Sequence, residues 1–254
     1  MEAGPDAHVK DCTEEGITYI YVVTSENELL RYNPPAAAFS TIGLVSCPTP
    51  SNPFSMAVDR AGAAYVVFHT GELFKVSTIN AGCKPTSFQW RDTGFPLFGM
   101  AFATDEKGSD ETLFIAESNF EPRPSKGFGA LDTATFDFKF IGSFGKSLGN
   151  AVEFTGTGDG RLFGLFIDSE GGVCHIAEVD KKTGAIQSDA LLDFGVAPSS
   201  FAFAFWGGDF YVFHSESQGP TKVTRYRPLD GSLLDVAMLP THVVGVGVST
   251  CAPQ

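Results

Sequence analysis

One run of β-branched and aromatic residues recurs five times along the chain, and this recurrence constrains the fold more than any other feature. Each copy predicts a buried strand. An aromatic residue in the middle of each run marks the repeat, and successive markers are 44, 49, 49 and 48 residues apart. The markers are Tyr21, Tyr65, Phe114, Phe163 and Tyr211. A period of this length is typical of the blades of a β-propeller.

The last repeat shows that each period holds four strands. Between Ser199 and Leu239, four runs of strand-forming residues are separated by turn signals such as Gly207-Gly208 and Asp230-Gly231. None of these runs has the i, i+3, i+4 apolar spacing of a helix. One such meander cannot bury both of its faces, so the repeats should pack on one another. The alternative, an antiparallel sandwich, predicts no fixed period.

The first repeat lacks a strand that the end of the chain supplies. In four repeats a strand rich in small and apolar residues precedes the marker, but none precedes the run at Tyr19. A surplus strand of this kind begins at His242 and contains Gly245 and Gly247. We therefore predict an all-β, five-bladed propeller with four-stranded antiparallel blades. The C-terminal strand should be the innermost strand of the first blade and close the ring.

The repeat fills nearly all of the 254 residues, which predicts a single domain over residues 12–254. Residues 1–11 are polar and unpatterned, and we expect them to form a flexible tail. No run approaches the roughly 20 apolar residues of a membrane span. We therefore expect no transmembrane segment, and we expect the propeller to be a monomer.

The composition suits a stable core and argues against nucleic-acid binding. Hydrophobic residues make up 43% of the chain and include 24 Phe, so a propeller core needs no metal to hold it. The net charge is −13. Nucleic-acid binding depends on a basic surface that contacts phosphates, so we expect no nucleic-acid partner.

The five cysteines predict two disulfides. Cys12 precedes the first strand and Cys251 follows the last, where the other blades have a covalent turn, so these two should pair. Cys47 and Cys83 form the second expected pair, which requires one of their flanking loops to fold over the outer edge of the ring. Cys174 should be a buried free thiol. Two disulfides predict an extracytoplasmic location, whether periplasmic, cell-surface or secreted.

Several segments resemble a group of myxobacterial lipoproteins whose activity is uncharacterised. The segments are IGLVSCP at 42–48, PFSMAVDRAG at 53–62, GELFKVST at 71–78, FGMAFATD at 98–105 and TGTGDGRLFG at 155–164. The resemblance covers about residues 12–251. It implies a lipidated leader and a low-complexity spacer before the domain, and hence a lipid anchor in the precursor. No activity and no ligand follow from it.

The runs that carry the marker aromatics should be the second strands of their blades, and each ends in polar residues. These residues should surround one mouth of the ring, and we refer to them as the predicted collar. They are Ser25, Glu26, His69, Glu117, Asp168, Glu170, His214 and Glu216. Converging carboxylates should raise one another's pKa values and attract a cationic ligand, a sugar or Ca²⁺. The alternative is that these strand ends are polar only because they meet water. The histidines do not have the short spacing of a zinc site, so no metal ligands are predicted.

Catalytic signals are weak. The inner strands carry one internal carboxylate, Glu153, and Asp59 falls at a turn. Two-carboxylate glycoside hydrolysis needs a facing pair roughly 5–9 Å apart, so we predict no catalytic residues. We expect a non-catalytic propeller that binds a protein partner or a small ligand at one mouth. Two alternatives stay open: a lectin-like propeller that binds glycans through a site on each blade, and a hydrolase of extracellular polymers.

Overall fold

The computed structural model describes residue 12 and residues 18–105, 110–121, 123–146, 148–168, 173–196, 198–217 and 219–254. The predicted flexible tail, residues 1–11, lies outside this range, as does Glu170 of the predicted collar. Five four-stranded antiparallel sheets account for the strands in the described residues, and their order confirms the five-bladed propeller.

Each blade is a meander whose strands follow one another from the centre of the ring outward. Blade 1 consists of Val243–Gly247 (β20), Ile20–Thr24 (β1), Glu28–Asn33 (β2) and Ala38–Leu44 (β3). Blade 2 consists of Pro53–Val58 (β4), Ala63–Phe68 (β5), Leu73–Ser77 (β6) and Cys83–Pro85 (β7), and a short helix, Trp90–Thr93 (α1), follows it.

The three remaining blades have the same layout. Blade 3 consists of Phe98–Thr104 (β8), Glu111–Glu117 (β9), Phe128–Leu131 (β10) and Phe138–Gly142 (β11). Blade 4 consists of Ala151–Gly156 (β12), Leu162–Ile167 (β13), Cys174–Val179 (β14) and Ile186–Leu192 (β15). Blade 5 consists of Ser200–Trp206 (β16), Asp209–Ser215 (β17), Thr221–Arg227 (β18) and Ser232–Leu239 (β19).

The C-terminal strand closes the ring as predicted. β20 pairs antiparallel with β1, with Val22 opposite Val246 and Val23 opposite Gly245. The first blade is therefore built from both ends of the chain, and every blade has an inner strand at the centre.

The core is divided into five apolar clusters, each between two neighbouring blades. Between blades 5 and 1, for example, Tyr32 lies edge-on to Phe213 with ring centroids 5.7 Å apart, and both rings are fully buried. A buried side chain of this size contributes roughly 1.5–3 kcal/mol by area. The phenylalanines thus stabilise the contacts between blades, and each blade depends on both of its neighbours.

The inner strands approach so closely that some positions admit only glycine. A Cβ on Gly99 of β8 would lie 2.2 Å from the carbonyl oxygen of Val152 on β12. A Cβ on Gly245 of β20 would lie 2.9 Å from the backbone of Ser55 and Met56 on β4. These distances explain why the inner strands are rich in small residues: their backbones meet too closely at the centre of the ring for larger side chains.

Both predicted disulfides are present. Cys12 is bonded to Cys251 with Cα atoms 5.6 Å apart, and Cys47 is bonded to Cys83 with Cα atoms 5.2 Å apart. The second bond links the outer strands of blades 1 and 2, because Cys47 follows β3 and Cys83 begins β7.

Two smaller predictions concern the free cysteine and membrane spans. Cys174 is a buried free thiol, as predicted, and burial raises its pKa to about 12. In the part of the chain that the structure describes, no helix combines the length and apolarity needed to cross a membrane.

Candidate functional site

A cavity of about 280 Å³ opens at one mouth of the ring. We call this mouth, where the inner strands begin and the second strands end, the upper mouth. The polar residues of the cavity wall are Ser25, Asn52, His69, Glu153, Ser199, Ser200 and His242. The apolar residues are Pro53, Phe54, Phe120, Phe201 and Val244. A concave site that mixes aromatic walls with a few polar groups is the usual form of a small-molecule binding site.

Glu153 is the buried polar group of this cavity, and it is 3% exposed. The hydroxyl of Ser55 on β4 donates a hydrogen bond of 2.8 Å to its Oε2. Ser55 belongs to blade 2 and Glu153 to blade 4, so this bond crosses the centre of the ring. Burial raises the pKa of Glu153 well above its usual range, and the Ser55 hydrogen bond opposes that shift only in part. The protonated carboxyl is therefore the favoured form.

The position of Glu153 depends on the glycine next to it. A Cβ on Gly99 would lie 2.6 Å from the Cα of Glu153 as well as against Val152. Any larger residue at position 99 would push β12 away from β8. The crowded packing of the inner strands therefore holds this carboxyl at the centre of the ring.

Phe120 forms one side of the rim because the segment before it is fixed to the start of blade 4. The backbone N–H of Asn119 donates to Asn150 O at 3.0 Å, and the Asn119 amide donates to the same oxygen at 3.2 Å. The Asn150 amide in turn donates to Glu121 O at 2.8 Å. Phe120 is thus held over the cavity with 57% of its surface exposed.

Blade 2 supplies the neighbouring part of the rim. The backbone N–H of His69 donates to Asn52 O at 3.0 Å, which holds the end of β5 beside the start of β4. The ring of Phe54 lies edge-on to His69 at 5.2 Å and to Phe120 at 6.4 Å, between centroids. Partial burial lowers the pKa of His69, so its neutral form is favoured.

The serines of blade 5 complete the wall, and their protons are committed to the backbone. The Ser199 hydroxyl donates to Ser215 O at 3.2 Å, and the Ser200 hydroxyl donates to Val243 O. A hydroxyl that has donated its proton presents only lone pairs to a ligand. These two side chains therefore offer acceptors to the cavity.

The structure places two members of the predicted collar, Ser25 and His69, on the cavity wall. Glu26 is exposed outside the cavity, and Asp168 follows β13 and is not part of the wall. Glu170 lies outside the described residues. Where the structure describes them, these side chains therefore do not form one continuous collar.

Glu117 corrects the expectation of converging negative charge. It is 1% exposed, and Arg123 donates to both of its carboxylate oxygens at 2.8 and 2.9 Å. Lys126 adds a backbone hydrogen bond of 2.7 Å. Burial acts to raise the pKa of Glu117, but the bonds from Arg123 and Lys126 outweigh it, and the pKa is lowered. This carboxylate is neutralised by its own blade and is not on the cavity wall.

His214 and Glu216 also lie away from the cavity. His214 is buried, stacks on Phe194 at 4.3 Å between centroids, and shares a hydrogen bond of 2.8 Å with the hydroxyl of Thr224. Glu216 pairs with Lys222 at 3.2 Å on the surface. Within the described residues, no three His, Cys, Asp or Glu side chains come close enough to hold a metal ion.

Several residues of the cavity were not predicted from the sequence. Phe54 and Ser200 lie at the start of inner strands, Ser199 and His242 directly precede inner strands, and Phe120 follows the second strand of blade 3. One signal was available, since Glu153 is the only titratable residue in the five inner strands. Burying a carboxyl is energetically costly, so a single carboxyl within the inner strands indicates a candidate functional position.

The opposite end of the channel, the lower mouth, is covered by the last residues of the chain. The hydroxyl of Thr250 bonds to Glu111 of blade 3 at 2.8 Å, and Arg60 of blade 2 donates to Thr250 at 3.4 Å. Gly207 of blade 5 donates to Pro253 O at 2.8 Å. At Gly158 of blade 4, a Cβ would lie 2.2 Å from Thr250 O. The last residues of the chain therefore contact four blades at this end of the ring.

Glu111 is the buried carboxyl at this lower mouth. It accepts from the backbone N–H of Arg60 at 2.7 Å and from Thr250. Burial is the largest influence on it and raises its pKa from 4.5 to about 7, despite these hydrogen bonds. Because the pKa in the folded state exceeds the unfolded value, the favourable contribution of the protonated form is complete below about pH 4.5. It is lost as the pH rises through about 7.

We therefore predict that Glu111→Gln raises the Tm of the protein at pH 8 by a few degrees and changes it little at pH 5. Glutamine keeps the shape of the protonated side chain but cannot ionise at this buried position. One kcal/mol corresponds to about 2–4 °C for a domain of this size. Thermal melts of both proteins from pH 5 to 8 measure the difference in Tm between them. The pKa values of His69 and His214 are lowered, but both proteins contain these histidines, so their contributions cancel in that difference. Exposed Glu216→Gln is the control, and an equal pH profile for Glu111→Gln and the parent would contradict the prediction.

Comparison with known proteins adds only distant structural likenesses. No family model and no curated protein matches the chain. The chain is similar to hydrazine synthase of Kuenenia stuttgartiensis, with 14% identity, 94% of this chain and 70% of that chain covered, and a TM-score of 0.48. It is similar to the PQQ-bound aldose sugar dehydrogenase of Streptomyces coelicolor, with 12% identity, coverages of 90% and 81%, and a TM-score of 0.47. The β-propeller domain of Cps50 (Swd1) from Myceliophteria thermophila gives 8% identity, coverages of 91% and 73%, and a TM-score of 0.44.

Proposed function

We propose that this propeller is an extracytoplasmic, non-catalytic binding protein that holds a small ligand in the cavity of the upper mouth. The observation that carries the proposal is the cavity itself, which contains one buried carboxyl under an aromatic rim. Binding sites for small molecules combine concavity, apolar walls and a few fixed polar groups in this way.

The size of the cavity favours a small ligand over a protein partner. Its volume of about 280 Å³ lies just below the roughly 300–1,000 Å³ of sites for drug-sized ligands. The buried carboxyl lies inside the ring, where a protein surface cannot reach it without inserting a side chain. Glu153, at 3% exposure, is accessible only from within the cavity.

The carboxylate content of the cavity supports binding over glycoside hydrolysis. Among the described residues that line it, Glu153 is the single carboxyl group. Hydrolysis by the two-carboxylate mechanism requires a second carboxylate across the scissile bond. The two disulfides support an extracytoplasmic location, because such bonds persist in oxidising compartments. The resemblance to myxobacterial lipoproteins extends the proposal to attachment through a lipid anchor.

The test is a thermal-shift screen of sugars, small amines and divalent ions against the parent and a variant whose cavity is blocked. Ser199→Trp places an indole at the exposed rim, and Ser188→Trp on the outer strand β15 is the matched control. A ligand of the cavity should raise the Tm of the parent and of the control Ser188→Trp in proportion to occupancy. The same ligand should leave the Tm of Ser199→Trp unchanged.

A ligand that stabilises the two tryptophan variants equally would bind elsewhere and would contradict the proposal. A glycan array run in parallel distinguishes the lectin-like alternative. Binding of glycans that survives Ser199→Trp would favour sites on the individual blades over the central cavity.

A further inference from the structure

Resting on the proposed function, the geometry points to a ligand with a primary ammonium group, which would bind the Glu153 carboxylate on the cavity floor beneath the aromatic rim. We infer this class of ligand, a small organic amine in its protonated form, from three features of the cavity: its charge, the direction of its hydrogen bonds and its aromatic rings.

The charge of the cavity disfavours anions. Among the described residues that line it there is no Lys or Arg, and Glu153 is the single acidic group. A carboxylate or phosphate ligand would enter a low-dielectric site beside Glu153 and without a Lys or Arg partner, which is unfavourable. The net charge of −13 also favours the approach of cations over anions.

The hydrogen bonds of the cavity favour a ligand that donates. The hydroxyls of Ser199 and Ser200 donate to backbone carbonyls, so they face the cavity as acceptors. Ser55 likewise commits its proton to Oε2 of Glu153, which leaves Oε1 as the carboxyl oxygen without a hydrogen-bond partner among the described residues. A primary ammonium carries three N–H donors and no acceptor, which matches the acceptors that Ser199, Ser200 and Glu153 present.

The aromatic rings suit the same ligand. Phe54 and Phe120 lie edge-to-face at the rim, and Phe201 lines the wall with 8% of its surface exposed. Aromatic faces attract cations and also cover the apolar part of an organic amine. The rim can therefore exclude water from an ion pair formed beneath it, which strengthens that pair.

Binding of an ammonium is coupled to loss of a proton from Glu153. In the empty cavity the protonated carboxyl is favoured; when R–NH₃⁺ binds, the O–H bond breaks, the proton leaves to solvent and the carboxylate accepts an N–H from the ligand. The inner strands packed around Glu153 carry no other titratable group. His69 and His242 share the cavity, and Glu111 and Glu117 lie at the two ends of β9, which packs against β12.

The experiment is isothermal titration calorimetry with four probes that share one ring: benzylammonium, benzyltrimethylammonium, benzyl alcohol and benzoate. Benzylammonium should bind at least about tenfold more tightly than benzyl alcohol, the difference expected for a hydrogen bond to a charged group. Its affinity should rise with pH by up to about tenfold per unit while Glu153 is protonated in the free protein. Titrations in buffers of different ionisation enthalpy should show release of about one proton.

Glu153→Gln is the key variant, because glutamine matches the shape of the protonated side chain and should leave the fold intact, as a thermal melt checks. It should reduce the affinity for benzylammonium to that for benzyl alcohol and abolish proton release. Glu26→Gln, at an exposed carboxylate outside the cavity, should keep both, which separates Glu153 from the general negative charge of the surface.

The other outcomes overturn the inference in distinguishable ways. Equal binding of benzylammonium and benzyl alcohol, insensitive to Glu153→Gln, would overturn the ammonium class while leaving the cavity as a binding site. Binding of benzyltrimethylammonium as tight as benzylammonium would overturn the role of N–H donors. If no probe binds, the inference fails, and the screen against Ser199→Trp decides independently whether the cavity binds another class of ligand.

Discussion

Deletion of Val243–Gln254 is expected to abolish cooperative unfolding. The deletion removes β20, which pairs with β1 and packs against the inner strands on both sides. It takes away three buried valines, Val243, Val246 and Val248, each worth roughly 1.5–3 kcal/mol by area. It also removes Cys251 and its disulfide. The combined loss is comparable to the roughly 5–15 kcal/mol that stabilises a typical domain. Thermal and urea melts followed by circular dichroism measure the effect.

A circular permutant is the matched control for this deletion. The Cα atoms of Cys12 and Cys251 lie 5.6 Å apart, so a short linker can join the two ends of the ring. New ends can be placed between Pro35 and Ala36, in the exposed turn after β2. The permutant retains every strand of blade 1 and should unfold cooperatively. A truncated protein that melts like the parent would show that the closed ring is not needed for folding.

The second large effect is expected from the disulfides. Replacing both Cys12 and Cys251 by Ser should lower the free energy of unfolding by about 5 kcal/mol in the chain-entropy estimate. The two cysteines are 239 positions apart in sequence, so the bond constrains nearly the whole unfolded chain. Replacing Cys47 and Cys83, which are 36 positions apart, should cost about 4 kcal/mol. Urea denaturation of the two double variants measures both losses.

Non-reducing mass mapping is the control for the pairing itself. It should recover Cys12 joined to Cys251, and Cys47 joined to Cys83. Recovery of Cys12 and Cys251 as alkylated free thiols would contradict the first assignment. A double variant at positions 12 and 251 whose stability lies within about 1 kcal/mol of the parent would show that the ring is held closed by strand pairing alone.

The fold could be predicted from the sequence because its determinants are local and repeated. The marker aromatics, such as Tyr65 and Phe114, report the period directly. The closure followed from counting strands, since a missing strand at Tyr19 and a surplus strand at His242 have one simple solution. The Cys12–Cys251 bond followed from the same count, because it stands where the other blades have a turn.

The site could not be predicted in the same way, because the directions of loop side chains depend on local partners. Glu117 ends its strand at the upper mouth, but Arg123, six positions later, folds back and neutralises it. His214 ends the corresponding strand of blade 5 and turns instead onto Phe194. Phe120 enters the rim only because Asn119 and Asn150 bond across two blades. No periodic pattern encodes such contacts.

The bond between Cys12 and Cys251 also decides how the ring responds to mechanical tension. A pull on the two ends of the chain enters the domain at Cys12 and leaves it at Cys251, and the covalent bond joins these two points directly. The load therefore passes through the sulfur atoms and bypasses the 239-position loop between them. The hydrogen bonds between β20 and β1, which would otherwise separate one after another, carry none of it. The cavity can thus keep its shape under a force that would peel open a ring held by strand pairing alone.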